Sequence, residues 1–345
     1  EIKKIKLKRK NQIMNNKILI IYHKEDNDGV FSASIVKYSL IHSNKYTDDD
    51  IDLYGTCYNE LSKDFESGKL EKWALQYSSV IMTDISFNEV KAMKQMYDLF
   101  GNSFVWIDHH KPIIEESKKN NFGKANGIRE TTRSAILLAY KYYFDVFDTN
   151  YKDHNIPEIL RILSAWDSFS YEREGYELDY VRKVNIGVNS ICKLNIDAAY
   201  NTVEKIFDDK DNFVQKLTAD AYNQGNTIVE YENGVSAQLC KQSGDGEFKL
   251  IDDCGNIVRS AMALFVQGQS NSLMFNTVKD KYQNGIVFKR CPNGNWTISL
   301  YNTNKDDTFD CGAYLEKKYK GGGHIGAAGC TVSQAKFITM LKTKV

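Results

Sequence analysis

The sequence predicts an α/β protein: a mostly parallel sheet with flanking helices, then a helical connector and a smaller α+β C-terminal domain. Three observations carry that expectation. Short apolar runs alternate with helically spaced segments through the first half of the chain. A polar, helically patterned stretch begins near residue 195. Beyond it, two alternating segments flank an Asn-Gly turn, the pattern of a β-hairpin. The expected boundaries are a basic arm at 1–16, an α/β domain at 17–190, a connector at 191–232 and a C-terminal domain at 233–345.

Lys17–Tyr22 is a short apolar run suited to a buried parallel strand. Gly29–His42 spaces Val30, Ala33, Val36 and Leu40 as a helix does. Ile51–Tyr54 reads as a second strand and Ser78–Met82 as a third, followed by a helix over Asn88–Phe100. Ser103–Ile107 is the fourth strand. Helices are expected over Thr131–Phe147 and Pro157–Phe169, with Pro157 suited to a first helical turn. Asn195–Glu232 carries Val203, Ile206, Phe207, Val214 and Leu217 at intervals that suit helical packing. In the last third, Glu247–Ile251 is a strand, Ile286–Cys291 and Trp296–Tyr301 form the hairpin, and helices are expected over Gly255–Phe265, Cys311–Tyr319 and Ser333–Lys344.

Of the 345 residues, 42% are hydrophobic, which suffices for a substantial core without staples. Lys+Arg and Asp+Glu each total 45, so the chain lacks the basic surplus of a long-duplex nucleic-acid binder. Seven cysteines without a C-x-x-C pair argue against a disulfide framework or a zinc knuckle and suit reduced thiols in the cytoplasm. The basic arm Glu1–Lys10 is expected to be flexible, and no apolar run follows it that would make a signal peptide or a membrane span. Nothing decides between a monomer and a homodimer.

Three of the strands run out into acids and histidines. The first leads into His23-Lys-Glu-Asp26-Asn-Asp28-Gly29, the third into Asp84, and the fourth into Asp108-His109-His110. In a parallel sheet the carboxyl ends of the strands share one crevice. Asp167, near a helix end, can reach the same place. Singly, each has an ordinary structural use: a D-x-D-G turn, an N-cap at Asp84, a loop histidine pair, an acid at a helix terminus. Together, so many acids would repel one another unless divalent cations met them. Carboxylate and imidazole donors suit Mn²⁺ or Mg²⁺ better than zinc. Two ions roughly 3.5–4 Å apart, with Asp84 as the bridge, fit the set.

With these residues in hand, the sequence resembles the DHH phosphoesterase family, in the subfamily that carries a DHHA1 C-terminal domain. The motifs are His23-x-x-Asp26-x-Asp28-Gly29, Asp84, Asp108-His109-His110, Asp167 and Gly321-Gly322-Gly323-His324-Ile-Gly-Ala-Ala-Gly329. The resemblance implies one metal on His23 and Asp26, a second on Asp28, His109 and Asp167, and Asp84 shared between them. The metal is expected to be Mn²⁺, two per chain, with Mg²⁺ or Co²⁺ as substitutes. Asp108 would orient its histidine neighbours, and His110 would face the substrate phosphate and assist the leaving group. Arg133, beside Thr131, Thr132 and Ser134, is a candidate phosphate contact, although a helix start explains the hydroxyls equally well.

Consecutive glycines can converge backbone N–H groups on an anion, with His324 adding a donor, while a helix C-cap would account for Gly321 alone. The resemblance implies that Gly321, Gly322, Gly323 and His324 hold the nucleotide end of the substrate across an interdomain cleft. Many relatives carry an arginine on the strand before this motif. Here Tyr301 and Asn302 stand near that place, leaving Arg290, Lys305 and Lys320 as alternatives for the terminal phosphate.

The implied activity is hydrolysis of short oligoribonucleotides by a nanoRNase-type exonuclease. Alternatives are phosphatase action on 3′,5′-bisphosphoadenosine, hydrolysis of linear or cyclic dinucleotides, and exopolyphosphatase action. A metal-free nucleotide-binding scaffold is a more distant reading, as is a tRNA-binding appendage. The expected partners are short oligoribonucleotides or small nucleotide phosphates, with no membrane.

Overall fold

The computed structural model describes residues 16–120, 125–147, 156–208, 212–243, 247–268, 270–304 and 307–343. Residues 1–15 of the expected basic arm, and Lys305, lie outside these. The chain divides into two compact units, Glu1–Ile228 and Val229–Val345.

The first unit is built on four parallel strands: β1 (Ile18–His23), β2 (Ile51–Thr56), β3 (Ser79–Thr83) and β4 (Phe104–Ile107), in the order β2-β1-β3-β4. Their side chains alternate between two cores. Ile18, Ile20 and Tyr22 of β1 enter one, with Ile81 and Ile107. Leu19 and Ile21 enter the other, with Val80, Met82, Phe104 and Trp106. A strand buried on both faces needs apolar residues at nearly every position, and for that reason β1 and β4 are the plainest elements in the sequence, while the edge strand β2 is only half-buried along most of its length.

Helices cover both faces. The first core takes side chains of α1 (Asn27–His42), α6 (Ala135–Phe147), α7 (Glu158–Asp167), α8 (Leu178–Cys192), α9 (Ile196–Asp208) and the start of α10 (Phe213–Gln242). The second takes α2 (Tyr58–Glu66), α3 (Lys69–Gln76), α4 (Val90–Phe100) and α5 (Lys111–Lys119). α8 and α10 touch backbone to backbone: a Cβ on Gly187 would fall 1.8 Å from the Ala221 carbonyl oxygen, and one on Gly225 would fall 1.7 Å from that of Lys183. α2, α3, α5 and α8 were not anticipated. The stretch expected as a connector is two helices, the second running on to Gln242. The helix expected from Thr131 begins at Ala135.

The second unit holds a six-stranded mixed sheet in the order β5-β6-β7-β8-β10-β9. Its strands are β5 (Glu247–Ile251), β6 (Ile257–Phe265), β7 (Asn284–Arg290), β8 (Trp296–Asn302), β9 (Gly322–Gly323) and β10 (Ala327–Val332). β6 and β7 are parallel, the other pairs antiparallel. The expected hairpin is β7–β8, with Arg290 opposite Trp296. α11 (Cys311–Tyr319) and α12 (Gln334–Thr343) pack on one face through Leu315, Phe337 and Met340.

One element departs from expectation outright. Residues 255–265, expected as a helix, form β6. Ala261 and Ala263 face one core, Met262 and Leu264 the other. Ala, Met and Leu favour helices in isolation, but pairing with β5 and β7 and burial on both faces override that preference. No described helix of the chain is long and apolar enough to cross a membrane.

Candidate metal centre

The registers of the first sheet bring the strand ends level: His23 stands beside Thr56, Tyr22 beside Thr83, and Thr83 beside Ile107. The residues that follow each strand therefore emerge at one edge.

After β1, Asp26 caps α1 by accepting from the Gly29 amide at 2.9 Å, and its other oxygen lies 2.8 Å from His23 Nδ1. This turn folds so tightly that a Cβ on Gly29 would sit 2.0 Å from the His23 carbonyl oxygen. Asp28, one residue earlier, is buried. Its two oxygens accept from the amides of Ala135 and Ile136, at 2.7 and 2.8 Å, where α6 begins. An anion is favoured at such a helix N-terminus.

Asp84, just past β3, has φ +56°, a left-handed conformation that is costly for a residue with a Cβ. Its amide donates to the Ile107 carbonyl at 3.0 Å, so the neighbouring strand holds it there. Its carboxylate lies between two imidazoles: Oδ2 is 3.7 Å from His23 Nδ1 and Oδ1 is 3.3 Å from His109 Nε2. The same His109 nitrogen is 3.1 Å from Asp167 Oδ2 and 3.6 Å from Asp28 Oδ2.

Asp108 is fully buried, and its oxygens are spent. Oδ1 accepts from the His109 and His110 amides and lies 2.7 Å from His110 Nδ1, while Oδ2 accepts from Trp106 Nε1. It orients the two histidines and offers no face to the cluster. His110, whose side chain is 37% exposed, leaves Nε2 open.

Two triads have donor atoms within 4.8 Å of one another: His23, Asp26 and Asp84, and Asp28, His109 and Asp167. Asp84, His109 and His110 make a third such group, overlapping the second at His109. Among the described residues, Asp84 Oδ1 and Asp167 Oδ2 are buried without a hydrogen bond. Both lie close to His109 Nε2, near enough for ionic attraction but not aligned for hydrogen bonding. Bare buried carboxylate oxygens are costly unless a cation meets them, so the residues fit divalent ions.

The proton affinities agree. Burial alone would lower the His109 imidazole, but Asp167, Asp84 and Asp28 override it and push its pKa up to about 12. His23 likewise is lowered by burial but pushed up to about 10 by Asp26 and Asp84. Burial raises Asp28, reinforced by Asp84 and Asp167. Burial would raise Asp84 too, yet His109 and His23 hold it below the usual carboxylate range. Protons on the imidazoles are the counter-charge that the residues themselves supply.

The remaining candidates lie elsewhere. Arg133 is half-buried in the turn before α6. Gly321, Gly322, Gly323 and His324 belong to the second unit. The Gly321 amide donates to Leu315 and the His324 amide to Ala327, while Gly322 and Gly323 pair with β10 as the edge strand β9. Two of the motif's amides are thus used within the protein, and the His324 side chain is exposed. The Tyr301 hydroxyl donates to the Ser270 carbonyl, and Asn302 is buried, bonding to Asp307, Phe309 and Ile325 carbonyls. Neither is available to stand in for the arginine of relatives. Lys320 and Arg290 are exposed.

One residue at the centre had no signal in the sequence. Tyr58, the first residue of α2, has its ring 5.6 Å from that of His23 and 5.9 Å from that of His110. Burial, then the charges of Asp108, Asp84, Asp26 and Asp167, raise its pKa and keep the phenol protonated.

Residues 17–165 match the DHH family, N-terminal domain. No curated protein matches the chain. Among solved structures, a pGpG-specific phosphodiesterase, PggH from Vibrio cholerae, is similar at 13% identity and TM-score 0.51, covering 94% of this chain and 96% of that one. An uncharacterized protein from Helicobacter pylori G27 matches at 16% identity and TM-score 0.40, over 95% of this chain and 98% of that one. RecJ from Thermus thermophilus, in complex with Mn²⁺, matches at 13% identity and TM-score 0.49, over 99% of this chain and 54% of its own. At these identities the likeness to PggH is one of fold. The matched segment contains His23, Asp26, Asp28, Asp84, Asp108, His109 and His110 on the strand ends of the parallel sheet, and it is this part of the chain that is similar to the DHH family.

Proposed function

We propose that this chain is a metal-dependent phosphoesterase that hydrolyses short oligonucleotides, with Mn²⁺ as its preferred ion. The observation that carries this reading is the pair of triads, His23–Asp26–Asp84 and Asp28–His109–Asp167, with bare buried oxygens on Asp84 and Asp167. In it, His23 and Asp26 hold one ion, Asp28, His109 and Asp167 the other, and Asp84 is shared. Carboxylates with two imidazoles suit Mn²⁺ or Mg²⁺, and Co²⁺ can substitute.

When bound, the ions supply Lewis acidity, which favours ionisation of water near neutral pH and offsets charge developing on the phosphoryl oxygens. The chain's own groups do the rest. Asp108 fixes the His110 ring through Nδ1. Burial lowers the His110 pKa, but Asp108 outweighs it and raises it, which favours the imidazolium, the form whose Nε2 proton can pass to the leaving oxygen. Arg133 and the glycine motif with His324 are the proposed contacts to substrate phosphate. A protein of this fold, PggH, is a phosphodiesterase for pGpG, which makes linear dinucleotides the first substrates to try.

Purified protein with Mn²⁺ is assayed side by side on 5′-phosphorylated dinucleotides, longer RNA, 3′,5′-bisphosphoadenosine, cyclic dinucleotides and polyphosphate. Turnover fastest on di- to pentanucleotides is the expected result. A chain that cleaves no oligonucleotide in any divalent metal would sink the reading.

A further inference from the structure

We propose that Tyr58 is a further catalytic residue of this centre, whose phenol hydroxyl donates a hydrogen bond to a phosphoryl oxygen of the substrate. The inference rests on the phosphoesterase reading above and adds a group to it.

The placement follows from the fold. His23 ends β1, and its register partner on β2 is Thr56. Two residues further, α2 begins at Tyr58, so the strand pairing carries this ring to the His23 side of the centre. The ring lies tilted to His23 at 5.6 Å and edge-on to His110 at 5.9 Å, in contact with one residue from each side of the site. His110 is the histidine whose Nε2 is open, so Tyr58 stands on the face from which a substrate approaches.

The residues behind Tyr58 fix it. The Lys24 amide donates to the Thr56 carbonyl at 3.1 Å, and Lys24 Nζ meets Glu60 Oε2 at 2.6 Å. The same Glu60 oxygen accepts from the Cys57 amide at 3.3 Å, closing the first turn of α2. The helix start is thereby tied to the residue after His23. A ring held this way can aim a donor without ordering a loop on each turnover.

The hydroxyl itself is unspent. Tyr58 is half-buried, yet its hydroxyl has no hydrogen-bond partner among the described residues. The hydroxyl is not among the buried polar atoms that lack a partner, so it is open to a group arriving from outside. Its electrostatic surroundings include Asp26, Asp84 and Asp167, carboxylates that the ions would engage, and Asp108, which holds His110. A phosphoryl group brought to those ions offers the acceptor that the phenol lacks. A neutral donor at that point opposes negative charge building on the phosphoryl oxygens without competing for metal.

The test uses the full chain loaded with Mn²⁺ and compares wild type with Tyr58→Phe, which removes only the oxygen. Metal content and melting temperature are expected to stay at wild-type values. kcat on a 5′-phosphorylated dinucleotide is expected to fall about 10- to 100-fold, and the calorimetric affinity for inorganic phosphate about 10-fold. Unchanged kcat and unchanged phosphate affinity would overturn the proposal. So would a loss of metal in Tyr58→Phe, which would make the ring a mere support for His23 and His110. If the wild type hydrolyses no phosphoester, the functional reading fails, while the phosphate titration still decides the contact. Absence of phosphate binding by the wild type overturns it too.

Discussion

Asp28 Oδ2 accepts a 2.7 Å hydrogen bond from the amide of Ala135, across 107 residues of sequence. The same oxygen faces His109 Nε2 at 3.6 Å. One buried carboxylate therefore caps a helix and belongs to the candidate metal centre. Asp28→Ala strands two buried amides, and we expect it to cost about 2–4 kcal/mol in stability. Thermal unfolding in excess chelator isolates that cost from metal loss. An unchanged melting temperature there would remove the capping role.

Asp84→Ala removes the carboxylate shared by the proposed ions. Metal content after mild purification is expected to drop from two ions to below one per chain, with phosphoesterase activity reduced at least about 100-fold. Elemental analysis beside turnover checks both. Two retained ions would show that Asp84 is no bridge.

The histidine shifts predict how cation binding responds to pH. His23 and His109, pushed up to about 10 and about 12, carry protons through neutral pH in the metal-free protein. Both values exceed the ordinary histidine value of about 6.5, so their stabilisation is full below that pH and is lost as pH rises through about 10 to 12. A cation must displace those protons. Mn²⁺ affinity should therefore rise with pH between 6 and 9, with proton release visible in calorimetry across buffers of different ionisation enthalpy. A flat profile without proton release contradicts the assignment.

Gly225→Ala places a methyl group against the Lys183 carbonyl, where 1.7 Å is available. α8 and α10 must separate, at a cost of about 1–3 kcal/mol. Thermal or urea unfolding reads it. Neither helix supplies a proposed ligand, so activity per folded molecule should hold.

Phe169 has φ +52° and is 80% exposed, directly after α7 and Ser168. The Ser170 amide donates back to the Ala165 carbonyl, a helix stop that favours glycine at the left-handed position. Phe169→Gly should relieve strain and raise stability by about 0.5–1 kcal/mol. A lower melting temperature would mean that the ring has a packing role.

The centre was legible because its residues stand at the ends of short apolar runs: His23 ends β1, Asp84 comes one residue after Val80-Ile81-Met82, and Asp108 directly follows β4. Tyr58 was not legible. Its helix of nine residues buries only Leu61, so periodicity had nothing to register. The capping of α6 by Asp28 also left no local signal, since the partners are far apart in sequence. β6 misled because a central strand made of Ala, Met and Leu shares its composition with a helix.

The left-handed backbone of Asp84 bears on how cations are chosen. Folding, through the hydrogen bond from the Asp84 amide to the Ile107 carbonyl, fixes the backbone that carries the carboxylate, and the strain is met before any ion arrives. Uptake then needs no backbone rearrangement at this residue. A carboxylate on a fixed backbone has only its side-chain rotations with which to adjust to a larger ion, so discrimination falls to ionic radius: Mn²⁺ and Mg²⁺ should be accepted and Ca²⁺, which takes longer bonds and more ligands, disfavoured.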